Sequence, residues 1–74
     1  MEREQLANLV GQAIRARRRE TGASQDSFAD RIGMHRAYFA AIERGEKNVT
    51  LATLRRIADG LGCSCWLLLS EADI

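Results

Sequence analysis

The stretch from Ser24 to Arg44 constrains this chain most, because two short helical patterns meet there at a glycine. Ser24 is suited to accept a backbone N–H as an N-cap, and Phe28, Ala29 and Ile32 then fall on one face at helical spacing. Gly33 follows at once, where a left-handed residue ends a helix at little steric cost. A second helix is expected from about Arg36 to Arg44, with Tyr38, Phe39 and Ile42 on its buried side. Its opposite side carries Ala37, Ala40, Ala41 and Arg44, with Arg36 at the N-terminal edge. Alanines flanked by arginines do little for solubility. They make a surface narrow enough to enter a groove and basic enough to meet phosphate.

The rest of the chain reads as helix too. It has no proline and no alternating β-branched runs, so an all-α fold of five helices in one domain over residues 1–74 is expected. The first helix spans residues 2–21, with Leu6, Leu9, Val10, Ala13 and Ile14 as its apolar stripe. One turn further, the stripe brings Arg17 and Arg18 toward the core side. A half-buried guanidinium needs an acid, and Glu43, beside Phe39 and Ile42, is the candidate for Arg18. Arg17 is expected to run its stem over the core edge. Thr50 caps a fourth helix whose Leu51, Leu54, Ala58 and Leu61 face inward, and Gly62 ends it. Ser64 caps a last helix, Cys65 to Leu69. The apolar residues Trp66, Leu67, Leu68 and Leu69 are too concentrated for so small a core, which marks about 61–69 as an association surface.

Two helices joined by a short glycine turn form a helix-turn-helix, here about residues 24–44. Gln25-Asp-Ser-Phe-Ala29, Gly33, Tyr38-Phe-Ala-Ala-Ile-Glu43-Arg-Gly45 and Thr50-Leu-Ala-Thr-Leu54-Arg-Arg-Ile-Ala58 resemble the Cro/C1-type regulators of bacteria and phages. The stretch Ile42 to Leu51, preceded by Arg36-Ala-Tyr38, is similar to the controller proteins of restriction–modification systems. The resemblance implies a lambda-repressor-like fold that binds double-stranded DNA. It also implies an Arg18–Glu43 pair and a Gln25 that bonds the DNA backbone while steadying the start of the next helix. Homodimers on two-fold operators are implied as well, with Leu61, Trp66, Leu67 and Leu69 available at the interface. The family's usual aliphatic residue is replaced by Arg17, and its polar Gln or Ser by alanine on the reading face.

Within that frame the recognition helix approaches base edges with its N-terminal residues. Arg36 has a fork that matches guanine O6 and N7, while Ala37 and Ala41 suit thymine methyl groups or close approach. His35 is read as a cap or phosphate contact, and Tyr38 as a packed ring whose hydroxyl reaches a phosphate or base. Arg44, Lys47 and Asn48 lie beyond the helix, where backbone contacts fix register. Net charge is only +1, so the distribution of charge must carry any attraction to DNA.

Cys63 and Cys65, with one distant His, lack the four ligands of a structural zinc site, so neither metal nor cofactor is expected. No nucleophile–base pairing or phosphate loop argues for an enzyme or a small-molecule ligand. The apolar runs are too short for a membrane span and no leader pattern opens the chain, which points to the cytoplasm. A protein-interaction or antitoxin-like module on the same fold is the competing reading.

Overall fold

The computed structural model describes residues 1–73. It consists of α1 (Arg3–Thr21), α2 (Gln25–Arg31), α3 (Arg36–Glu43), α4 (Leu51–Leu61) and α5 (Cys65–Glu71), with no strand among the described residues. Local chemistry sets the boundaries. Ser24, Thr50 and Ser64 each accept the N–H of the residue three positions on, Ser27, Thr53 and Leu67, satisfying a helix-end donor. Gly22 and Gly62 close α1 and α4 in left-handed geometry, at φ 81° and 73°.

The core lies where all five helices converge. Phe28, Phe39, Ile14, Ile42, Ile57 and Leu68 are its largest fully buried side chains. The Phe28 and Phe39 rings sit 5.1 Å apart and tilted by 41°, within the favourable range for aromatic pairs, and lock α2 onto α3. Between α1 and α3 the backbones approach so closely that a Cβ at Gly11 would collide with the Ile42 carbonyl oxygen. The glycine sets that distance.

Several residues sit differently from the expected pattern. Leu51 is 79% exposed although it falls on the inward stripe of α4; Ile57, absent from that stripe, is fully buried. Leu6 and Tyr38 are each 37% exposed, and Leu9 is half-buried. A stripe gives an angular position, but burial also requires close packing at that height; Leu6 and Leu51, at the starts of their helices, instead line one open apolar cavity. Ala41, expected on the outer face of α3, is buried. The Gly45 turn returns the Glu46 N–H to the Ala41 carbonyl at 3.0 Å. Arg17 is not merely draped over the core edge: it makes a two-pronged salt bridge to Glu71, tying α1 to α5.

Candidate nucleic-acid interface

The turn between α2 and α3 is built by two backbone bonds and one buried side chain. Gly33 adopts φ 69° and donates its N–H to the Asp30 carbonyl at 3.1 Å, while Met34 donates to Ala29 at 2.9 Å. Met34 is buried, so it pins the turn to the core as α3 leaves it. Behind α3, Arg18 Nε and Nη2 donate to Glu43 Oε2 and Oε1 at 2.7 and 3.0 Å, and both residues are buried. The Glu43 hydrogen bonds hold the Arg18 guanidinium more firmly in its charged form. Arg18 Nη1 also donates to the Ala23 carbonyl at 3.0 Å, and Gln25 Nε2 donates to Glu43 Oε1 at 2.8 Å. One carboxylate thereby fixes α1, the start of α2 and the end of α3 relative to each other. Gln25 is half-buried in this network rather than free at the surface.

The outer face of α3 presents Arg36, Ala37, Tyr38 and, just beyond its last residue, Arg44, all exposed. His35 holds the N-cap position and is exposed, yet its side chain makes no cap hydrogen bond, so the capping role falls away. Arg36 is not a free cation. Its Nε and Nη2 donate to Asp30 Oδ1 and Oδ2 at 3.0 and 2.6 Å, and Nη1 lies 3.4 Å from Asp26 Oδ2. These contacts hold the Asp30 carboxyl below the usual carboxylate range, chiefly through the Arg36 hydrogen bonds, and raise the guanidinium in turn. Arg44 is similarly engaged by Glu46 at 2.8 and 3.1 Å, which keeps the Glu46 carboxyl low. The basic character expected of this surface is therefore largely offset by neighbouring acids. Lys47 and Asn48 are exposed, and Lys47 makes no ion pair among the described residues.

At the other end of the chain, Leu61, Leu67 and Leu69 are half-buried, Leu68 is fully buried and Trp66 is 73% exposed. Leu69 also lines an apolar cavity of about 160 Å³ with Leu6, Val10, Val49, Leu51 and Leu54, beside Lys47 and Asn48. Cys63 and Cys65 are free, and burial pushes the Cys63 thiol up, away from the reactive thiolate. No cluster of His, Cys, Asp or Glu among the described residues has the arrangement to hold a metal ion.

A family described as a helix-turn-helix domain matches residues 3–65, a span that takes in α1 to α4 and the turn just described. The chain belongs to this helix-turn-helix family. It is 40% identical over 57 residues to the control protein C.MunI of Mycoplasma sp, across 77% of each chain. Its fold matches that of the restriction–modification controller protein C.AhdI from Aeromonas hydrophila with a TM-score of 0.80 and 32% identity, over 84% of this chain and 94% of that one. A second controller protein, C.Esp1396I, solved as a tetramer in complex with its natural 35 base-pair operator, matches with a TM-score of 0.80 and 30% identity over 93% and 96%. Against this helix-turn-helix frame, sequence reasoning missed Asp26, Asp30 and Glu46. The spacing of four between Asp26 and Asp30 was the available signal, since it puts both carboxylates on one face of α2.

Proposed function

We propose that this helix-turn-helix protein is a sequence-specific transcriptional regulator of the controller type, binding duplex DNA as a homodimer on a two-fold operator. The single observation that supports this best is the likeness, over nearly the whole of both chains, to a controller protein solved on its operator. In this reading α3 lies in the major groove with Arg36 toward guanine, and Ala37 permits close approach. Gln25 steadies the motif through Glu43, and its remaining amide N–H faces the backbone. Tyr38, His35, Arg44, Lys47 and Asn48 supply backbone contacts. The protein acts in the cytoplasm as a binding module rather than an enzyme. Among the described residues no helix is long and apolar enough to cross a membrane.

The test is a gel shift on random duplex at low and moderate salt, followed by selection of bound duplexes from a random pool and sequencing. Salt-sensitive binding that converges on a two-fold sequence is the expected result. Arg36→Ala should then cost about 1–3 kcal/mol on the selected duplex and much less on a scrambled one. Equal losses on both would reduce Arg36 to a phosphate contact. No binding to any duplex at low salt would favour the protein-interaction reading, which draws on the acid-neutralised surface of α3.

A further inference from the structure

We infer that Asp30, assisted by Asp26, is a specificity determinant: its carboxylate holds the Arg36 head so that this charge is withheld from phosphate and delivered only to a base edge. The inference rests on the DNA-binding reading above. Asp30 takes the Nε–Nη2 side of the guanidinium with both carboxylate oxygens, at 3.0 and 2.6 Å. A guanidinium has five N–H donors. With Nε, one N–H of Nη2 and one of Nη1 engaged, a single donor remains on each terminal nitrogen. Two donors on adjacent terminal nitrogens suit the two acceptors of guanine, O6 and N7.

The placement of Asp30 is not explained by α2 itself. It stands in the last turn of Gln25–Arg31, where the helix dipole favours cations and disfavours a carboxylate. Asp26, in the first turn, is favourable to α2 on its own account and lies farther from Arg36, at 3.4 Å. Asp30 is thus the principal partner. Two carboxylates around one guanidinium also leave this spot with net negative charge, which repels a phosphate that offers nothing else. The bridge is exposed, with side chains 58% and 53% accessible, so it is weak enough to yield or share donors when a base edge presents itself.

The test compares the parent with Asp30→Asn on the duplex selected from the random pool and on its scrambled counterpart, across a salt series. Freed from its acid, Arg36 should reach phosphate. Scrambled-duplex affinity should rise, and the slope of log K against log salt should steepen by about one unit. The ratio of selected to scrambled affinity should fall roughly five- to ten-fold, on the scale of one mismatched base pair. Asp26→Asn should move both quantities in the same direction and less. In an Arg36→Ala background, Asp30→Asn should raise the affinity for both duplexes alike by removing a negative charge, and should leave their ratio unchanged, because Asp30 sets specificity through Arg36. An unchanged ratio in Asp30→Asn, or the same fall in the ratio in the Arg36→Ala background, overturns the clamp while leaving DNA binding intact. A parent that binds neither duplex overturns both.

Discussion

Replacing Glu43 by Ala leaves the Arg18 guanidinium, 7% exposed, with only the Ala23 carbonyl as its remaining partner. Loss of one member of a buried ion pair costs about 3–5 kcal/mol because the other charge stays behind. Glu43→Ala is therefore expected to lower stability by about that much in urea unfolding. The double replacement Arg18→Met with Glu43→Leu removes the stranded charge and should recover much of the loss. Recovery stops short of the parent, since the Gln25 amide and the Ala23 carbonyl each lose a partner. A Glu43→Ala protein as stable as the parent would show that the pair contributes nothing. This interaction was legible in the sequence because an apolar stripe carried an arginine into the core, and a buried charge demands a partner. Arg36–Asp30 and Arg17–Glu71 were not legible. Exposed pairs leave no trace in hydrophobic periodicity, and the second joins residues 54 positions apart.

Between elements, the closest approach is that of α1 to α3. A methyl at Gly11 would meet the Ile42 carbonyl oxygen and stand 2.9 Å from that of Glu43, both main-chain atoms that can retreat only if the helices separate. At Gly60 the obstruction is instead the Ile32 side chain, with Phe28 Cζ at 3.1 Å, and the half-buried Ile32 is a side chain rather than main chain. Both glycines lie within helices, so alanine gains a similar propensity of up to about 1 kcal/mol at each. Gly11→Ala should nonetheless be the more destabilising, by the roughly 1–3 kcal/mol typical of overpacking. It should also loosen the Arg18–Glu43 contact that sits on the same crossing. Equal stabilities for the two variants in thermal or urea unfolding would show that α1 is free to move away. The cap expected at His35 does not form, but the five elements and three N-caps were legible because Ser24, Thr50, Ser64 and the glycines at 22 and 62 announce boundaries by local chemistry. The exposure of Leu51 was not. Whether a second element stands over the first turn of α4 is a tertiary fact that helical spacing does not encode.

For the whole molecule, size argues for the proposed partner. The longest extent of the chain is 32 Å, and it presents one α3, whereas two recognition helices on one face of a duplex are spaced about 34 Å apart. In the proposed homodimer a second copy would supply the second helix, and two-fold symmetry would demand a self-complementary patch. Trp66 offers the anchor, a large aromatic left 73% exposed one helical turn before Leu69, whose side chain opens on the apolar cavity with Leu6 and Leu51. The proposed dimer is best tested at Trp66. Leu69 and Leu61 also pack against the protein's own core, so a charge there would confuse assembly with folding. Trp66→Glu should fold as the parent does by circular dichroism, yet show half its mass in sedimentation equilibrium. On a two-half-site duplex it should lose cooperativity and bind each half-site weakly. If Trp66→Glu unfolds, the indole belongs to the monomer's stability. If the parent itself sediments as a monomer at concentrations of tens of micromolar, where even an association in the range of roughly −8 kcal/mol would be evident, the dimer fails and one α3 must find its site alone.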